Sequence, residues 1–131
     1  ASDVYKRQIV NHGNLKQQDL AILYRSCKIS FLPSVLEVFS ASTIESMYFQ
    51  LPTVATNLSF NTEVFADSCL YYTPKNFKGA ASQIVKAVTD EKLRSELCDK
   101  MKKQLLRFNS FEKYFNDTVD FLIEVGSGKH Q

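Results

Sequence analysis

The sequence predicts a doubly wound α/β fold, a parallel sheet with helices on both faces. Two observations carry this. Short apolar runs at residues 29–32, 53–56 and 69–72 are bounded by Pro33, Pro52 and Pro74. Between and after them lie longer stretches with apolar residues at helical intervals, and strands alternating with helices argue for parallel pairing with helices on both sides.

The elements follow in order. Ile9-Val10 reads as a brief first strand that stops at Asn11, His12 and Gly13. Residues 16–27 place Leu20, Leu23, Tyr24 and Cys27 on one helical face, with the lysine and glutamines outward. Residues 29–32 read as a buried strand, and residues 43–49 as the helix after the loop that follows. The strand Thr53–Thr56 begins after Pro52, because proline cannot donate within a central ladder, and residues 69–72 form the next. Residues 77–88 carry Ile84, Val85 and Val88 on one helical face. Asp90 is the expected N-cap of a helix over 91–108, and Ser110 that of a helix over 111–125. Residues 8–125 are expected to form the folded body, with a poorly ordered lead at 1–7 and a disordered tail at 126–131.

Composition narrows the class. With 44% hydrophobic and 23% charged residues, the chain has the balance of a water-soluble globular domain. Sixteen basic against fourteen acidic side chains leave +2, too little for a nucleic-acid footprint. No apolar run reaches the roughly 20 residues that span a bilayer. Cys27, Cys69 and Cys98 lack metal-ligand spacing, so no metal is expected, and they read as reduced core thiols of a cytoplasmic protein.

The stretch 33–57, PSVLEVFSASTIESMYFQLPTVATN, is where chemistry concentrates. Glu37 and Glu45 are separated by seven residues, and Phe39, Ser40, Ala41 and Ser42 open the helix between them. A helix N-terminus offers unpaired N–H groups and partial positive charge, so a phosphate can sit there while a nearby carboxylate holds a sugar hydroxyl. The loops at 33–40 and 57–62 both follow strands, at the edge where doubly wound sheets bind ligands. Plainer roles stand beside these. Ser42 and Glu45 fit a capping box, in which the glutamate turns back to the helix N-terminus. Glu37 could be a solvated loop carboxylate and Phe39 a loop anchor. Glu63 could be a first-turn carboxylate favoured by the helix dipole, and His12 a turn histidine. Lys100, Lys102 and Lys103 read as a solvated helix face.

Taken together, Pro33-Ser34, Glu37, Val38-Phe39-Ser40, Glu45-Ser46-Met47 and Leu51-Pro52-Thr53-Val54-Ala55-Thr56 resemble the signature of the group 1 glycosyltransferases. The likeness is to the carboxy-terminal, donor-binding half of their two-domain GT-B fold, which is Rossmann-like. It extends from Ile9 through Asp19-Leu20-Ala21-Ile22-Leu23-Tyr24 and Glu63-Val64-Phe65 to Tyr72. In this family the loop reads Gly-Phe-Gly, so Val38 and Ser40 stand where glycines are usual, and a positive φ at Val38 would be strained.

The resemblance implies a retaining, metal-independent transfer of a sugar from a nucleoside-diphosphate sugar, with no further cofactor. Glu45 would accept from the ribose hydroxyls and Glu37 from those of the transferred sugar. The backbone N–H groups of Phe39, Ser40, Ala41 and Ser42 would hold the diphosphate, and Glu63 would face the donor. No catalytic residue is assigned. Nothing before Gln8 resembles the first strands of such a domain, so the sheet is expected to be partial and the chain a fragment that is inactive alone. Its implied partners are the nucleotide-sugar donor and the amino-terminal domain of the same enzyme, with peripheral membrane association of the parent. An open strand edge at 29–32 would further favour a homodimer or a rearranged edge. The alternative is a non-catalytic doubly wound α/β domain, a regulatory or nucleotide-sensing module.

Overall fold

The computed structural model describes residues 9–38 and 40–108, with positions 113, 119, 120, 123, 124, 126 and 127 beyond them. Among the described residues three strands form one parallel sheet in the order β1 (Ser30–Leu32), β2 (Thr53–Thr56), β3 (Leu70–Tyr72). Helix α1 (Gln17–Ser26) precedes β1, α2 (Ala41–Tyr48) crosses from β1 to β2, and α3 (Ser59–Phe65) from β2 to β3. Helices α4 (Phe77–Thr89) and α5 (Glu91–Leu105) follow.

Strand alternation divides the core. The row Leu32, Ala55, Tyr71 faces one side of the sheet, where it packs with Ile44 and Met47 of α2, Phe65 of α3 and Met101 of α5. The row Phe31, Val54, Leu70 faces the other, where Val54 and Tyr72 pack against Ala80, Ile84 and Ala87 of α4. Helices therefore cover both faces, as expected, and every residue of β2 is buried.

Helix ends follow their capping chemistry. The Asn76 side chain accepts from Gly79 N at 2.9 Å, and Asp90 accepts from Leu93 N at 2.9 Å, as its position before residue 91 suggested. Asp90 is also the last residue of the α4 turn, so one residue joins the two helices. Arg94 reinforces the joint by donating Nη1 to the carbonyls of Ala87 and Val88, at 3.0 and 2.6 Å.

Several expectations are corrected. Ile9 and Val10 form no strand and are 79% and 69% exposed; with no neighbouring strand among the described residues, two residues gain too few ladder bonds to form one. Strand β1, outermost in the sheet among the described residues, is not fully buried: Phe31 is 41% exposed, and its ring lies on Tyr72 with centroids 5.8 Å apart. Of the expected core thiols, Cys69 is buried but Cys27, at the end of α1, is exposed. Helix α2 starts two residues earlier than its apolar spacing suggested, and α5 ends at Leu105 rather than 108. The helix expected at 111–125 falls largely outside the described residues; positions 126 and 127 continue a helical turn, with Ser127 N donating to Ile123 O at 2.9 Å.

Helix α2 closes with a Schellman turn. Leu51 N donates to Ser46 O and Gln50 N to Met47 O, which puts Gln50 at φ 54°. Glycine normally occupies that left-handed position, because any Cβ there is strained. Gln50→Gly is therefore expected to stabilise the fold by about 0.5–1 kcal/mol, read as a higher urea midpoint at unchanged slope. An unchanged or lower midpoint would show that the Gln50 side chain outweighs the strain.

Candidate functional site

The carboxyl ends of β1 and β2 lead into two loops, 33–40 and 57–58, and one hydroxyl ties them together. Thr56, the last residue of β2, donates Oγ1 to Ser34 O at 2.6 Å. Asn61, buried in α3, donates Nδ2 to Thr56 Oγ1 at 2.9 Å and to Thr56 O at 3.0 Å. Thr56 Oγ1 thus both donates and accepts, and it fixes the β1 loop relative to the α3 turn. Neither Thr56 nor Asn61 stood out in the sequence. The only available signal was a threonine ending an apolar strand five residues before an asparagine.

Helix α2 begins at this edge with Ser40 as N-cap, in extended backbone, and Thr43 N donates to Ser40 O at 3.1 Å. The N–H groups of Ala41 and Ser42 have no acceptor among the described residues. Phe39 lies outside the described residues. Thr43 Oγ1, next along the helix, is buried without a partner among the described residues. In the loop before the helix, Glu37 is half-buried while Val35, Leu36 and Val38 are exposed. Val38 does not adopt a positive φ, so the loop accepts valine without the strain that a glycine-like conformation would bring.

Glu45 lies in the second turn of α2, and its partner is not the helix N-terminus. The capping box is absent, since Ser40 rather than Ser42 caps the helix. Instead Glu45 Oε2 accepts from the hydroxyl of Tyr24 on α1 at 2.9 Å. The Tyr24 ring is stacked on Phe49, centroids 5.1 Å apart and planes within 9°, and Phe49 is met edge-on by Tyr48 and capped by the Arg25 guanidinium at 5.8 Å. Burial, then donation to the adjacent Glu45 carboxylate, pushes the Tyr24 phenol up to about 12. Beside this contact, Glu45 lines a cavity of about 350 Å³ with Leu20, Ala21, Ile44, Tyr48 and Phe49.

The remaining sequence candidates are dispersed. Glu63 is exposed at the fifth position of α3, outside the first turn, and among the described residues no hydrogen bond or ion pair joins it to Glu37 or Glu45. His12 is exposed in a turn where Asn11 Oδ1 accepts from Gly13 N. Among the described residues no cluster of His, Cys, Asp or Glu is arranged to hold a metal. No helix among them is long and apolar enough to cross a membrane. A second hollow of about 250 Å³ opens between the end of β3 and α4, lined by Asn57, Thr73, Asn76 and Gln83.

The Tyr24 environment has a pH consequence. Tyr24, Tyr71 and Tyr72 all hold their protons more tightly folded than the ordinary phenol value of 10.0, chiefly through burial. Above pH 10 the unfolded chain has released phenol protons that the folded one retains, so the contribution of these tyrosines is full below about 10 and is lost as pH rises toward 12; Cys69 and Cys98, raised by burial from 9.0, act in the same direction from about pH 9. Chemical denaturation between pH 8 and 11.5 is expected to show a falling free energy. In Glu45→Gln, ring-carbon NMR is expected to move the Tyr24 titration downward. A stability flat across this range, or a Tyr24 titration indifferent to Glu45, would contradict the placement of the hydroxyl.

Comparison with known proteins supplies the family. Residues 5–104 match the model of glycosyl transferases, group 1. Over 92 residues the chain is 29% identical to the serotype-specific mannosyltransferase WbdA of Escherichia coli, a match covering 70% of this chain and 11% of that protein. The chain thus spans about a ninth of the curated relatives it matches. The fold is similar to that of the N-terminal domain of Candida albicans trehalose-6-phosphate phosphatase, with a TM-score of 0.71 at 15% identity, over 86% of this chain and 25% of that one. With an α/β sheet covered on both faces and a family match over most of its length, the chain belongs to the group 1 glycosyltransferases.

Proposed function

We propose that this chain is the donor-binding part of a retaining glycosyltransferase that takes its sugar from a nucleoside-diphosphate sugar. The observation that carries the reading is the setting of Glu45: a carboxylate one turn below the start of α2, bordering a cavity, with a single oxygen engaged among the described residues. In this reading the free oxygen accepts from the ribose hydroxyls. The N–H groups from Phe39 to Ser42 receive the diphosphate, Glu37 binds hydroxyls of the transferred sugar, and Glu63 faces the donor from α3. The unclaimed N–H groups of Ala41 and Ser42 support the phosphate assignment.

In the reaction the bond from the sugar's anomeric carbon to the phosphate breaks, and the nucleoside diphosphate leaves with the electron pair. An acceptor hydroxyl then bonds to the anomeric carbon on the face the phosphate left, its proton passing to the departing diphosphate, so configuration is retained. Donors fixed at the leaving phosphate matter because negative charge grows there in the transition state, and losing one such donor typically costs ~100-fold or more. The acceptor site belongs to another domain of the same enzyme, so this part does not turn over alone. The likeness to a mannosyltransferase favours a hexosyl donor.

The test is ligand-observed NMR of the folded chain against UDP, GDP and ADP and their sugar conjugates, repeated with Glu45→Ala. Saturable binding of one nucleotide is expected, weakened about tenfold or more in the variant. Failure of a folded chain to bind any of them, or equal binding by Glu45→Ala, would overturn the assignment.

A further inference from the structure

We infer that Tyr24 is a positioning residue for the donor site, its hydroxyl holding the Glu45 carboxylate in the one orientation that leaves an oxygen for ribose. The inference rests on the reading of Glu45 given above and goes beyond it to a residue on a different helix. Tyr24 lies 21 positions from Glu45, and the bond between them at 2.9 Å links a side chain of α1 to one of α2.

The geometry suits an orienting role. A glutamate on a helix surface has several rotamers of similar energy, and fixing it before a ligand arrives removes an entropic cost from binding. The Tyr24 ring is itself fixed, since it lies flat on Phe49, which Tyr48 and Arg25 enclose in turn. The donor is therefore built into a stack rather than carried on a mobile chain. Its direction is also settled: an ionised carboxylate can only accept, and a phenol raised to about 12 remains a donor throughout the physiological range. Oε2 is thereby occupied, while Oε1 has no partner among the described residues. A hydroxyl-bearing ligand in the adjoining cavity would meet a carboxylate with one oxygen anchored and one available.

A purely structural role for Tyr24, docking α1, predicts something different. Losing the hydroxyl would then disturb binding of every ligand alike. Tyr24→Phe keeps the ring and its stack and removes only the donor, so it separates the two roles. Dissociation constants are measured for the preferred nucleoside diphosphate and for its 2′,3′-dideoxy analogue, with the unmodified chain, Tyr24→Phe, Glu45→Ala and the double variant. Tyr24→Phe is expected to weaken the ribonucleotide roughly three- to tenfold. That loss should vanish with the dideoxy analogue and in the Glu45→Ala background, where no carboxylate remains to orient. If Glu45→Ala weakens binding but Tyr24→Phe does not, the positioning role falls and the ribose assignment stands. A Tyr24→Phe loss that persists with the dideoxy analogue or without Glu45 assigns Tyr24 to docking of α1 and also overturns the proposal. If Glu45→Ala leaves binding unchanged, or the unmodified chain binds no nucleotide, both readings fall.

Discussion

Everything in this fold is arranged around the complete burial of β2. Its four residues, Thr53 to Thr56, are hydrogen-bonded to strands on both edges and covered on both faces. Such a strand cannot leave a polar group unanswered, because an unpaired buried hydroxyl costs on the order of 1–3 kcal/mol. Both threonine hydroxyls are answered from within, Thr53 by the Leu51 carbonyl and Thr56 by Ser34 and Asn61. Burial on two sides in turn demands two layers of helix. That demand is met by α2, α3 and α5 on one face and α4 on the other.

The same strand positions the chemistry. Because β2 ends in Thr56, and Thr56 holds Ser34, the loop leading into α2 is anchored to the sheet only seven residues before that helix begins. Ser46 fastens the middle of α2, donating to the Ser42 carbonyl at 2.7 Å and hydrogen-bonded to the Ser30 hydroxyl of β1 at 3.0 Å. Thr43, Ser46 and Met47 turn inward, which leaves Glu45 on the flank toward α1. The site is thus a by-product of how one buried strand satisfies its own hydroxyls.

Local chemistry made much of this legible in the sequence. Helix α1 was bounded to within one residue by its apolar spacing, β2 by Pro52, and the α4–α5 joint by Asp90, since each rests on interactions within a few positions. What was not legible depends on distant residues. Ile9 and Val10 carry strand propensity but have no partner strand among the described residues. The S-x-x-E pattern at Ser42–Glu45 matches a cap, yet the helix starts at Ala41 and the glutamate finds Tyr24 instead. Tyr24 read as core because its spacing matches Leu20 and Leu23; periodicity places a side chain on a face but says nothing of the hydroxyl at its tip. The family signature named Glu45 without revealing which of its oxygens is free.

Helix α1 has no fully buried residue, unlike α2, α3, α4 and α5. Its hold on the body includes half-buried leucines, the Tyr24–Phe49 stack, the Arg25 guanidinium over Phe49 and the Tyr24–Glu45 hydrogen bond. Segments held this way open locally at far lower free energy than strands buried on both faces. Whenever α1 lifts away, Glu45 loses its anchor and one wall of its cavity together. Affinity at the proposed donor site would then be multiplied by the fraction of molecules in which α1 is seated, and so reduced. Any contact that presses α1 onto α2, wherever on the helix it acts, would tighten binding without touching the ligand.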